Sequence, residues 1–502
     1  MKVNIGKMFA NRAFLTPDLE ACIGNGYRYD YKKMNQRINR FAACLSASDI
    51  TRGDRIAILA KNNEQVITAL FASAKIGAIT VVLNFRLQAP ELSYILSDSQ
   101  AKFMVYGAEF VGVVESLKNE IPVQRFVSIG KAGADTEFES AIQGMDDSEP
   151  AITGGGEEPA VLMYTSGTTG KPKGVTLTHN NLFWAATGLV HTLDWAYKYR
   201  YLSVAPLFHI GGLAPIFANV HVGCTMVFMP DFDPGKAWQI ILDEKINFAM
   251  TVPVMLQYMQ MIPGIDQMDL SCLRHFICGG SAVPRALIAS YRDMGIDIHQ
   301  VYGATEYSGA ISFWSPDMGF EKSTSMGKPV FHGDIKIIAP ETGRETEPEE
   351  VGEICILGPQ VFKGYWKNQA ASDEVLINGY YRSGDLGKKD ADGFVYVVDR
   401  LKDMIISGSE NIYPAELESV IASHPGIADV AVVGKPHEKW GEIPVAFVVK
   451  KPGAKIIEQD IIQLCRENLA GFKCIKELCF IDEIPRNTLG KILKRSLRDQ
   501  VA

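Results

Sequence analysis

Tyr164-Thr165-Ser166-Gly167-Thr168-Thr169-Gly170-Lys171-Pro172-Lys173-Gly174-Val175 sets four aliphatic hydroxyls, three glycines and two lysines within twelve residues. It follows Ala160-Val161-Leu162-Met163, an apolar run that reads as a buried strand. Glycines let backbone N–H groups wrap an anion, hydroxyls donate hydrogen bonds, and lysines supply charge. The spacing is not that of a Walker loop, because no G-x-x-x-x-G-K-[ST] pattern is present. A flexible linker has no use for a lysine pair or for a strand feeding it. The stretch is read as a phosphate-gripping loop at the end of a buried strand.

The rhythm around the loop is α/β. Arg55–Ala60 reads as a strand, 63–75 as a helix and Ile79–Leu83 as a strand. The pattern recurs at Phe103–Tyr106, Met226–Met229 and Phe276–Cys278, which implies parallel sheets covered by helices. After residue 330 the texture turns to β, with strands expected at 334–338, 353–357 and 394–398. The last hundred residues read as a separate α+β unit, with helices at 413–424 and 458–469 and strands at 430–433 and 446–449. The charged run Asp399-Arg400-Leu401-Lys402-Asp403 separates two apolar strands and is expected to be a solvated linker. The expected domains are 1–398, a hinge at 399–403, and 404–502.

Composition sets the outer limits. A chain of 502 residues exceeds what a single hydrophobic core serves, so at least two domains are expected. A net charge of −8 argues against nucleic acid or an anionic membrane as the main partner. A bound anion must then be held by local positive groups. Nine cysteines are scattered without a C-x-x-C pair or zinc spacing, so reduced thiols and a cytoplasmic location are expected. The segment 1–6 lacks the apolar core of a signal peptide. The longest apolar region, 69–83, is broken by Lys75 and Gly77, so no transmembrane segment is expected.

Five further segments follow the loop in order: Pro206-Leu207-Phe208-His209-Ile210-Gly211-Gly212; Val301-Tyr302-Gly303-Ala304-Thr305-Glu306; Tyr381-Arg382-Ser383-Gly384-Asp385-Leu386; Arg400 to Asp403 with Ser407-Gly408-Ser409-Glu410-Asn411-Ile412-Tyr413-Pro414; and Pro485-Arg486-Asn487-Thr488-Leu489-Gly490-Lys491. Singly, Y-G-x-T-E or S-G-D is a weak signal. Together with the loop, over nearly the whole chain, they resemble the adenylate-forming (AMP-binding) superfamily, and within it the acyl-CoA synthetases.

That resemblance implies a fold: a large α/β N-terminal domain of two stacked sheets plus a distorted β-barrel, and a small mobile α+β C-terminal domain. It also implies a reaction in two halves, with ATP, CoA and Mg²⁺. A carboxylate attacks the α-phosphorus of ATP and expels pyrophosphate. A thiol then displaces AMP from the acyl-adenylate. The first half joins two anions, so it requires charge neutralisation and alignment. By resemblance, Thr165, Ser166, Gly167, Thr168, Thr169, Gly170 and Lys173 hold the β- and γ-phosphates. Glu306 is the Mg²⁺ ligand, a hard carboxylate for a hard cation. Thr305 bonds the α-phosphate, Tyr302 faces adenine beside Gly280, Ser281 and Gly303, and Asp385 accepts the ribose hydroxyls. Arg400 contacts ribose or phosphate. Lys491 is the catalytic lysine, Lys402 the hinge, and Gly408 with Ser409 lines the pantetheine tunnel. Ser409 stands where a second glycine is usual.

The acceptor and the acid are less sharply marked. Trp440 resembles an aromatic that stacks on the CoA adenine, and Phe472 and Lys473 are placed to contact the nucleotide and its phosphate. An alternative is a stand-alone enzyme that loads a carrier protein. Amino-acid loaders carry an aspartate near His209 and aryl-acid loaders an asparagine after it; Ile210 is neither. Luciferases share every motif. The acyl pocket is expected to be lined by Trp184, His209, Ile210, Gly279, Gly280, Val301, Ala304, Ser308 and Gly309, mostly small or apolar. His209 is expected to position or shield the carboxylate, which needs no deprotonation at neutral pH. Trp184 is expected to limit length, and Gly279 and Gly280 to leave room. The substrate expected is a medium-chain, alicyclic or aromatic monocarboxylic acid. Dimers are common in the family.

Overall fold

The structure, a computed structural model, describes residues 2–165, 171–407, 410–438, 440–469, 471, 473–486 and 492–501. Its contacts gather into two compact units. One comprises Met1–Ile335 with Ile356–Tyr381, the other Lys336–Cys355 with Arg382–Ala502. Residues 336–355 and 382–398 thus group with the C-terminal part of the chain.

The first unit holds two large sheets. In the eight-stranded sheet, Pro159–Thr165 runs parallel to Ile79–Val82, which runs parallel to Arg55–Leu59. These strands are mostly apolar and buried because both faces are covered. The chain returns antiparallel as Lys173–Thr178, with Thr165 opposite Lys173. The short strand Gly364–Tyr365 then adds to Lys173–Thr178.

In the nine-stranded sheet, Thr225–Phe228, Arg200–Ser203, Phe248–Thr251, His275–Gly279 and Asp297–Ala304 are successive parallel neighbours. Parallel strands place their C-terminal ends along one edge, where α/β sheets bind ligands. Segments 204–209, 280–281 and 305–306 all leave from that edge. The covering helices start on local caps. Asn63 accepts the Val66 amide at 3.0 Å to open Glu64–Lys75, and Thr178 and Asn181 cap each other to open His179–Thr192.

In the second unit, Val395–Arg400 pairs antiparallel with Tyr380–Lys389. Farther on, Glu410–Ile412, Ile405–Ser407, Gly441–Lys450, Ile427–His437 and Glu477–Phe480 form a sheet. Helices Pro414–Ala422 and Glu458–Asn468 bury Leu417, Ile421 and Ile461 against it. The 399–403 run corrects one expectation. Asp399 and Asp403 are buried rather than solvated. Asp399 accepts the Ala415 amide at 2.8 Å, in the first turn of Pro414–Ala422. Asp403 pairs with Arg498 at 2.6 Å. All nine cysteines are free. No helix among the described residues is long and apolar enough to cross a membrane.

Candidate active site

The strand Pro159–Thr165 delivers Thr165, half-buried, to the start of the phosphate loop, and Lys173 resumes the sheet directly opposite. Ser166, Gly167, Thr168, Thr169 and Gly170 lie outside the described residues, as do Gly408, Ser409, Phe472 and Lys491. What the described residues show is the frame of the loop. A lysine and a threonine are held side by side by strand pairing.

The second feature is the hairpin formed by Asp297–Ala304 and Gly309–Trp314. Its turn carries Thr305 and Glu306, with Ser308 donating its amide to the Thr305 carbonyl at 2.9 Å. Gly303 is demanded by packing: a Cβ there would stand 2.5 Å from the Gly309 carbonyl oxygen. Tyr302, Thr305 and Glu306 are all half-buried. The Glu306 carboxylate accepts the Tyr365 hydroxyl at 3.1 Å, and the Glu306 carbonyl accepts the Phe362 amide at 2.8 Å. Lys173 places its ammonium 5.1 Å from the centre of the Tyr365 ring. Glu306 and Lys173 are therefore brought to one residue, Tyr365, that the sequence reading did not mark. A Gly-Tyr-Trp run after an apolar pair gives only a faint signal, because its partners lie about 60 and 190 residues away in sequence. A carboxylate that shares Tyr365 with Lys173 has the chemistry to hold Mg²⁺, a hard cation that takes oxygen ligands.

His209 caps the helix Ile210–Val222, its Nδ1 accepting the Gly211 amide at 3.2 Å. Nδ1 is thus an acceptor and the ring proton sits on Nε2. Burial lowers the imidazole pKa below the usual histidine range, so the ring stays neutral. Next to it, the Cα of Gly309 faces Ala214 and Ile210. A Cβ at Gly309 would lie 3.1 Å from the Ala214 methyl and 3.9 Å from Ile210. Ile210 and Gly309, both expected in the acyl pocket, are therefore adjacent.

Gly279 packs so tightly on Val301 that a Cβ would stand 2.5 Å from the Val301 carbonyl oxygen. This glycine is required for strand contact as well as for any space it leaves. Gly280 and Ser281 are exposed at the same strand end, and Ala304 is half-buried. Trp184 meets His332 edge-on at 5.0 Å, and His332 Nε2 is 3.0 Å from His191 Nδ1.

In the second unit, Asp385 and Arg400 stand opposite each other and form an ion pair at 2.6 Å, with Asp385 the more buried. The Asp385 amide donates to Ser383 Oγ at 3.0 Å, and the Gly384 amide to Glu353 at 3.1 Å, which fixes the turn. Lys402 is exposed on the turn Leu401–Asp403. Trp440 is 45% exposed at the tip of the hairpin between Ile427–His437 and Gly441–Lys450. Lys473 is engaged by both oxygens of Glu416 at 2.8 Å. Any contact it makes with a phosphate must compete with that pair.

Comparison with known proteins specifies the class to which this α/β fold belongs. Residues 9–366 match the family described as AMP-binding enzyme, and 416–491 match the AMP-binding enzyme C-terminal domain. The chain belongs to this family, in its acyl- and aryl-CoA ligase branch. It is 39% identical over 499 residues to the long-chain-fatty-acid–CoA ligase FadD13 of Mycobacterium tuberculosis, covering 99% of this chain and 98% of the relative. It is 38% identical to the feruloyl-CoA synthase of an Amycolatopsis species, covering 98% of each. The O-succinylbenzoate coenzyme A synthetase of Bacillus subtilis, solved with ATP and a magnesium ion, superposes with a TM-score of 0.87 at 32% identity, covering 100% of both chains.

Proposed function

We propose that this protein is an AMP-forming acyl-CoA synthetase acting on a medium-chain, alicyclic or aromatic monocarboxylic acid. The observation that carries this reading is the apolar wall of Ile210, Ala214 and Gly309 beside a neutral His209. An apolar, close-packed wall binds hydrocarbon or an aromatic ring by excluding water. A neutral Nε2–H donor suits a carboxylate that is already ionised and has only to be oriented. The relatives carry names for a long-chain fatty acid, for ferulate and for succinylbenzoate, which supports a largely hydrophobic acid without choosing between a chain and a ring.

In the first half-reaction a carboxylate oxygen bonds to the α-phosphorus of ATP, and the bond to the pyrophosphate oxygen breaks. Thr165 and Lys173, with the hydroxyls of 166–169, hold the outer phosphates, and Thr305 holds the α-phosphate. Mg²⁺, held by Glu306, would neutralise charge on the phosphates when bound. Asp385 accepts from the ribose hydroxyls. Arg400 keeps its charge at any working pH and holds Asp385 in place. Lys491 bridges the carboxylate and the α-phosphate as charge builds. In the second half-reaction the CoA sulfur bonds to the acyl carbon and AMP leaves. Trp440 and the hairpin at Gly408 and Ser409 receive CoA, and rotation about Lys402 exchanges Lys491 for that hairpin.

The test is acid-dependent exchange of labelled pyrophosphate into ATP, without CoA, across straight-chain, alicyclic and aromatic acids. Strongest exchange with an aromatic or medium-length acid supports the reading. Exchange only with acetate, or only with acids of sixteen or more carbons, contradicts it.

A further inference from the structure

Tyr365 links the strand Lys173–Thr178 to the hairpin that carries Glu306. Its strand, Gly364–Tyr365, is pinned to the strand that leaves the loop. Trp366 donates its amide to the Gly174 carbonyl at 2.7 Å, and Lys363 donates to the Thr176 carbonyl at 3.0 Å. Its own amide donates to Ser372 Oγ at 2.8 Å, and its ring rests edge-on against Phe362 at 5.0 Å. Phe362 in turn holds the backbone of Glu306. The ring is therefore fixed by backbone bonds on one side and by an aromatic neighbour on the other.

From that fixed ring two charged side chains are served at once. The hydroxyl donates to the Glu306 carboxylate, and the ring's π-face receives the Lys173 ammonium. A carboxylate that accepts a hydrogen bond from a fixed hydroxyl loses rotational freedom. An ammonium seated over a ring face is similarly held without its charge being cancelled.

We propose that Tyr365 is a positioning residue for the nucleotide–Mg²⁺ complex, its hydroxyl orienting Glu306 toward the metal and its ring seating Lys173 toward the outer phosphates. This rests on reading Glu306 as the metal ligand and Lys173 as a phosphate ligand.

The two functions separate by substitution. Tyr365→Phe keeps the ring and removes the hydroxyl. Tyr365→Leu removes both. Glu306→Gln and Lys173→Ala report on the underlying reading. ATP affinity is measured by calorimetry with and without Mg²⁺, alongside the Mg²⁺ concentration that gives half-maximal adenylate formation. Thermal melting checks that each variant is folded. Tyr365→Phe is expected to raise the Mg²⁺ requirement about tenfold and leave Mg²⁺-free ATP binding unchanged. Tyr365→Leu should also weaken Mg²⁺-free ATP binding, approaching the effect of Lys173→Ala. A purely structural tyrosine would shift melting and leave the Mg²⁺ dependence alone. If Glu306→Gln raises the Mg²⁺ requirement and Tyr365→Phe does not, the positioning role is refuted and the reading of Glu306 survives. If Glu306→Gln itself leaves the requirement unchanged, the metal-ligand reading falls and the proposal falls with it.

Discussion

At the residue scale, His209 is held by the helix it caps, and burial depresses its pKa. Protonation then requires a pH below the free value of about 6.5. Adenylate formation is therefore expected to show no histidine ionisation between pH 6.5 and 8. His209→Gln should give a pH–rate profile parallel to the wild type over that range, with weaker binding of the acid. A step at wild-type pH 6.5–7.5 that vanishes in the variant would make His209 a base. Lys491→Ala should cost adenylate formation about 10²–10³-fold, the scale for losing one group that meets developing charge. Attack of CoA on preformed acyl-adenylate should change little. Equal loss of both halves would contradict the division of labour. His209 and Glu306 were marked as candidates because each sits in a short contiguous motif. Tyr365 was not, since what marks it is contact with Lys173 and Glu306, which one-dimensional spacing does not display.

At the element scale, the parallel order of five strands carries the site, because it aligns the segments after residues 203, 279 and 304 along one edge. Gly279 tests how tightly that edge is built. Gly279→Ala would push a methyl against the Val301 backbone, and overpacking of this kind costs about 1–3 kcal/mol. Urea unfolding should show a lower midpoint with an unchanged slope; an unchanged midpoint would mean the strands part easily. The length limit expected at Trp184 makes a different prediction. Trp184→Ala should shift preference toward longer acids, measured as the ratio of kcat/KM for twelve- and six-carbon acids. Hydrophobic periodicity located these strands and helices, usually within two residues, because buried parallel strands are continuous apolar runs. The run 399–403 misled for the opposite reason. Charge usually signals solvent, but Asp399 and Asp403 are satisfied by Ala415 and Arg498, partners 16 and 95 residues on.

At the scale of the whole molecule, buried histidines contribute to the loss of stability in acid. Burial lowers His179 to about 4 and His275 to about 3, and depresses His299 as well. A depressed folded pKa means that the unfolded chain binds protons first. Stability is thus fully present above the unfolded value of about 6.5 and falls as pH drops toward the folded values. Each such group contributes a loss of about 1.4 kcal/mol per pH unit in that window. The melting temperature should be flat from pH 8 to 7 and decline steadily from 6.5 to 4.5. A flat profile down to pH 5 would mean these histidines are hydrated in solution. The broader claim is that both units serve one ATP-driven ligation of an acid to CoA. It is tested most directly by incubating the protein with ATP, Mg²⁺ and a panel of carboxylic acids, with and without CoA, and identifying products by mass spectrometry. The account predicts AMP and an acyl-CoA in equal amounts, formed only with CoA and best with an aromatic or medium-length acid. Acyl-adenylate that accumulates to the same level whether or not CoA is present, with no thioester formed, would contradict it and point to a carrier-protein acceptor.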